Sequence, residues 1–140
     1  MCKEARFNLV ALAFDLGLKR TGVATGQTLS RTAQPAGQIS ALNGQLDWQQ
    51  LDKLIADWQP EIIVIGDPHT QDPHLKKLIN RFKSYIQQNH KLPIKEVNEE
   101  LTSFDANERL KDYSLALDKK IELRDQVAAC IILEDYFNSL

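Results

Sequence analysis

The sequence predicts an α/β fold: a mixed five-stranded sheet, three antiparallel N-terminal strands followed by two parallel strands, with helices on both faces. Three observations carry this expectation. Residues 9–14 and 62–65 are almost unbroken apolar runs, as expected of central strands buried on both sides. Residues 20–26 read as a strand returning from the first run through a short turn at residues 17–19. Further along, segments with helical apolar spacing alternate with short strands, the pattern that covers a sheet with helices. The 140 residues suit one domain spanning 1–140.

Each element has its own signal. A third strand over residues 32–39 contains Pro35, which fits an edge better than a centre. Asn43-Gly44 marks a turn. Asp47 can cap a helix whose stripe is Trp48, Leu51, Leu54, Ile55 and Trp58, with the two tryptophans as core anchors and Pro60 as the stop. A second helix buries Leu75, Leu78, Ile79, Phe82 and Ile86 and keeps Lys76, Lys77, Arg81 and Lys83 on a solvated face. Residues 92–97 form a short strand. Thr102 with Asp105 resembles a capping box, so a helix is expected there, then a break over residues 113–118 and a last helix over residues 121–137.

Composition narrows the function. Seventeen basic against nineteen acidic residues leave a formal charge of −2, which argues against a protein that coats nucleic acid by bulk charge. Two cysteines, Cys2 and Cys130, make no disulfide framework, and Cys130 in its apolar run reads as a buried thiol. The first apolar stretch is too short to span a bilayer and runs into Asp15 without a cleavage-like site. A cytoplasmic protein without membrane partners is expected. His69, His74 and His90 have no second pair of soft ligands beside them, which disfavours zinc.

Three carboxylates sit where an acid is costly. Asp15 ends the most apolar strand, Glu99 follows the end of another, and Asp125 shares a helical stripe with Ile121, Ala128, Ala129, Ile132 and Tyr136. Such a group needs a partner, either an Arg or Lys or a divalent metal. Parallel first and last strands would bring Asp15 and Glu99 to one sheet edge, where open α/β sheets bind ligands, and the last helix could carry Asp125 across. Convergent carboxylates suit Mg²⁺ or Mn²⁺, and two such ions can drive phosphodiester hydrolysis.

Four blocks together resemble the YqgF family, also called RuvX, small bacterial nucleases with an RNase H-like fold related to RuvC resolvases. They are residues 11–24 (ALAFDLGLKRTGVA), residues 58–66 (WQPEIIVIG) with Pro68, residues 98–103 (NEELTS), and residues 125–133 (DQVAACIIL). The resemblance implies a metal-dependent nuclease acting in maturation of the 5′ end of pre-16S rRNA, with RNA as partner, branched DNA by kinship, and the ribosome as helper. It places catalytic and metal-binding roles on Asp15, Glu99 and Asp125, with a two-metal Mg²⁺ or Mn²⁺ centre. Lys19 and Arg20, beside Asp15, become the expected phosphate contacts, in a monomer or weak homodimer.

The chain departs from the family pattern at three places. Asn98 replaces an Asp, Glu100 replaces an Arg, and Asp67 replaces an apolar residue. The first removes an acid beside the expected metal shell, and the second reverses a charge near the phosphate path. Asp67 could be an extra ligand or a turn acid. These departures motivate an alternative: a weakly active or non-catalytic RNase H-like module that binds RNA, the ribosome or Holliday junctions. Asp15-Leu-Gly17 with Thr21-Gly22 is also similar to the phosphate loop of actin-like ATPases, but those enzymes need two lobes.

Overall fold

The structure is a computed structural model that describes residues 8–98 and 117–140, with side chains from residue 123 onward in the second segment. The strands are β1 (Val10–Asp15), β2 (Arg20–Gln27), β3 (Ala33–Leu42), β4 (Gln45–Leu46), β5 (Ile62–Asp67) and β6 (Ile94–Asn98). The helices are α1 (Trp48–Trp58), α2 (Pro73–Asn89) and α3 (Leu117–Asn138). The helix expected from Thr102 lies outside the described residues. Leu117 and Asp118, expected in a break, already belong to α3.

The strands form one sheet in the order β4-β3-β2-β1-β5-β6. β1, β2 and β3 are antiparallel neighbours, while β5 and β6 run parallel to β1. The sixth strand is the two-residue β4, which follows the Asn43-Gly44 turn and pairs with Ala41 and Leu42. A residue pair this short carries no alternation, so only the turn was readable. Pro35 sits on β3 where the register slips opposite Val23 and Ala24, and β4 does not reach it. The missing N–H therefore faces no ladder partner.

Helix ends follow local chemistry. The Asp47 side chain accepts from the Gln50 N–H, and Gln59 closes α1 in the left-handed region ahead of Pro60. Asp72 caps α2, with Pro73 in its first turn. Trp48 packs against the core and stacks on Tyr85 with centroids 4.3 Å apart. Trp58 departs from its expected place: it is 37% exposed, as the last residue of α1. Among the described residues, no helix is long and apolar enough to cross a membrane.

The sheet separates two cores. On one face Leu12, Phe14, Ile39, Ile63 and Ile65 meet Leu51 and Ile55 of α1 and Leu78, Phe82 and Ile86 of α2. On the other, Ala11, Ala13, Ala24 and Val64 meet Ala129, Cys130, Ile132, Leu133 and Phe137 of α3. Cys130 is buried, as its apolar run predicts. Strand alternation sorts β1 between them: Leu12 and Phe14 go one way, Ala11 and Ala13 the other. The small residues on the second face let α3 lie close to the strands.

Candidate functional site

Asp15 is the last residue of β1 and, by alternation with Ala11 and Ala13, falls on the α3 face. Its partner across the ladder is Gly22 of β2. A Cβ at Gly22 would stand 2.0 Å from the carbonyl oxygen of Asp125 and 2.7 Å from the backbone nitrogen of Gln126. Only glycine allows this approach, and it seats the α3 backbone on β2 directly opposite Asp15. Gly26 repeats the device further along α3, where a Cβ would come within 2.9 Å of the Phe137 ring and 3.1 Å of Leu133, besides 2.3 Å from the Thr32 carbonyl oxygen. Two glycines and Ala24 between them make a track along which α3 lies.

Arg20 begins β2 on the same face. Its Nε donates to Oδ2 of Asp125, while Arg124 Nη2 stands 3.9 Å from Oδ1. The Asp125 side chain is 15% exposed and that of Arg20 29%. Two guanidinium groups thus offset the cost of a half-buried carboxylate. The basic partner that the apolar stripe calls for is Arg20, supplied from the first residue of β2.

The sequence-derived residues are distributed as follows. Asp15 and Asp125 are brought to one face, separated by the Gly22 contact. Glu99 and Glu100 lie outside the described residues. Lys19 is exposed on the β1–β2 turn, and its carbonyl accepts from Ala41 N at 3.0 Å, which ties the turn to β3. Arg20, expected as a phosphate contact, is engaged with Asp125. Among the described residues, no three His, Cys, Asp or Glu side chains gather as a metal cluster. Asp15 and Asp125 supply hard oxygen donors only, which fits Mg²⁺ or Mn²⁺ in kind and excludes a soft-metal site here.

Asp67 belongs elsewhere. It alternates with Ile63 and Ile65 and so falls on the α1/α2 face, where it borders a cleft with Lys76, Lys83 and Glu96. Its Oδ1 accepts from His69 N at 2.9 Å, the hydrogen bond of an Asx turn. Asn98 pairs in register with Asp67, and Val97, not Asn98, joins the core on the α3 face. The Asp-to-Asn departure therefore falls on the side of the sheet away from Asp15.

Sequence reasoning missed Gly22. A glycine inside a strand, opposite an acid across a hairpin, is the signal that could have marked it. It also missed a polar cluster between α1 and α2: Tyr85 Oη donates to Asp52 Oδ2 at 2.7 Å, and His90 Nε2 lies 2.8 Å from Oδ1. The hydrogen bond to Asp52, then burial and the carboxylate charge, raise the Tyr85 pKa above the ordinary 10.0.

Comparison with known proteins gives this geometry a context. The family model described as "RuvX: Holliday junction resolvase" matches residues 9–139. A relative from Dechloromonas aromatica (strain RCB) is 39% identical over 131 residues, covering 91% of this chain and 90% of its own. One from Coxiella burnetii (strain CbuK_Q154) is 36% identical over 132 residues, 92% of each chain. Both carry the name "Putative pre-16S rRNA nuclease". Among solved structures, the fowlpox virus resolvase with its Holliday junction DNA superposes with a TM-score of 0.60 at 16% identity, over 94% of this chain and 98% of the other. T. thermophilus RuvC with a Holliday junction substrate gives 0.56 at 10% identity, over 94% of both chains. The fold is thus that of the RuvC-like, RNase H-like resolvases. With the family model matching residues 9–139 and relatives 36% and 39% identical over 92% and 91% of the chain, the chain belongs to the RuvX family.

Proposed function

We propose that the protein is a metal-dependent endonuclease that hydrolyses phosphodiester bonds in the 5′ maturation of pre-16S rRNA. The observation that carries this reading is the seating of Asp125 on Gly22, the ladder partner of Asp15. Full-length relatives named as pre-16S rRNA nucleases favour RNA over branched DNA as the substrate. Asp15 and Asp125, with Glu99 as the third carboxylate, would hold Mg²⁺ or Mn²⁺. When bound, a pair of such ions supplies an activated water and stabilises the leaving oxygen.

The chain's own side chains do the rest. Arg20 orients the Asp125 carboxylate through its Nε hydrogen bond. Lys19, exposed on the adjoining turn, offers a point charge that positions a phosphate without reading sequence. Gly22 sets the spacing between the two carboxylate-bearing elements.

The test is Asp15→Asn, assayed on an RNA that spans the 5′ end of pre-16S rRNA with Mg²⁺ or Mn²⁺. Loss of an outer-shell partner already costs metal sites about 10–100-fold, so cleavage should fall by at least ~100-fold. Circular dichroism should stay unchanged. Equal cleavage by the variant, or by wild type in EDTA, overturns the reading. The Arg20–Asp125 ion pair favours one alternative, a binding module whose acid is held by an arginine. Wild-type protein that binds this RNA yet leaves it uncut with either metal establishes that alternative.

A further inference from the structure

We infer that the outer face of α2 is a phosphate-binding groove, which holds the backbone of a nucleic-acid strand on the sheet face opposite Asp15 and Asp125. This rests on the nuclease reading and adds a second region of substrate contact to it.

Charge distribution gives the first observation. α2 contains Lys76, Lys77, Arg81 and Lys83 and not one Asp or Glu, in a chain whose net charge is −2. Solvated helical faces ordinarily intersperse the two signs, as Lys53 and Asp57 do on α1 at 2.8 Å. On α2 only Lys83 is matched among the described residues, by Glu96 of β6 at 2.8 Å. Lys77 and Arg81 have no ion pair with any described residue.

Shape gives the second. His74, Lys77, Arg81, Ser84 and Gln88 follow one another at three- and four-residue steps, a single stripe along the helix. The stripe is roughly 21 Å long at 1.5 Å per residue. It borders two clefts, of about 480 and 490 Å³, that share Lys77 and Arg81 and so form one groove. Among the described residues, no acid lines either cleft. Arg81 is steadied at the junction by an Nη1 hydrogen bond to the Gly44 carbonyl at 3.4 Å. Cations followed by neutral hydroxyl and amide donors match a chain of phosphates, and an open groove of this length suits a strand better than a small molecule.

Position gives the third. The cleft that His74 borders is also lined by Leu18, in the turn between Asp15 and Arg20. A strand whose reacting phosphodiester lies on the α3 face reaches the groove by crossing that turn, past Lys19. The substrate therefore needs several nucleotides on one side of the cut, and very short oligonucleotides bind weakly.

Fluorescence anisotropy with single-stranded RNA in EDTA isolates binding from cleavage. Lys77→Glu, and separately Lys77→Ala with Arg81→Gln, should weaken binding about 10-fold or more. For the double variant the slope of log K against log salt should fall by roughly 1.4, about 0.7 for each lost contact. Lys53→Glu, an equal change of net charge on α1, should bind as wild type does. In steady state the α2 variants should raise KM and leave kcat unchanged. Unchanged RNA affinity in Lys77→Glu, or an equal loss in Lys53→Glu, overturns the groove. Asp15→Asn separates the two proposals: RNA binding retained with cleavage lost supports both. Normal binding and cutting by the α2 variants leaves the nuclease standing and removes the groove alone.

Discussion

The two faces of the sheet solve different problems with different side-chain sizes. Towards α1 and α2 the strands present Leu12, Phe14, Ile39, Ile63 and Ile65, and the helices answer with Leu78, Phe82 and Ile86. Towards α3 they present Ala11, Ala13, Ala24 and the glycines 22 and 26. Large residues bury area and hold the helices at ordinary distance, so that face supplies stability. Small residues surrender area for closeness, and closeness seats the Asp125 backbone on Gly22, the ladder partner of Asp15. Stability and site are thus divided between opposite faces of the same strands.

That division can be broken at chosen points. The largest effect on folding should come from Phe82→Ala, since Phe82 is fully buried and its ring lies 5.0 Å from that of Phe14. A loss of about 3–5 kcal/mol is expected in urea unfolding, with cleavage per folded molecule little changed. Gly22→Ala should act on the other face. Its Cβ meets backbone and not a yielding side chain, so a cost of about 1–3 kcal/mol is expected. In contrast to Phe82→Ala, it should depress cleavage more than stability, because α3 must shift away from Asp15. Equal activity per folded molecule in both variants would refute the division.

Smaller effects sharpen the comparison. Arg20→Gln removes the half-buried partner of Asp125 and should cost about 1 kcal/mol, between the worth of exposed and buried pairs. Thermal unfolding with and without Mn²⁺ checks the assignment: the deficit should narrow with Mn²⁺ if a cation takes over the role of the guanidinium. Tyr85 gives the smallest effect. Its folded pKa is raised, so the stability it adds is complete below pH 10 and is lost as pH rises through the higher folded value. Tyr85→Phe should therefore be less stable at neutral pH, and its deficit should shrink above pH 10. A constant difference across that range contradicts the hydrogen bond to Asp52 as the cause.

Much of this was legible in the residues. The apolar runs of β1 and β5 announce strands buried on both sides, and the stripes of α1 and α2 announce their buried faces. Asp15 and Asp125 stand out because an acid in such company is costly. What misled was locality. Trp58 sits on an apolar stripe but stays exposed at the end of its helix. Asn98 and Asp67 looked like neighbours of the site, yet alternation along β5 and β6 turns them to the other face.

The sequence by itself determined the elements, their order and the acids that need partners, because periodicity and the cost of burying charge are local properties of a chain. Only the tertiary structure decided which partner Asp125 received and which face each strand residue serves. Arg20 and Asp125 are 105 residues apart, and no local pattern links them. They meet because α3 settles on a strip of glycine and alanine. The formal charge of −2 likewise hides a helix without a single acid, since a sum over the chain discards the placement that gives charge its effect.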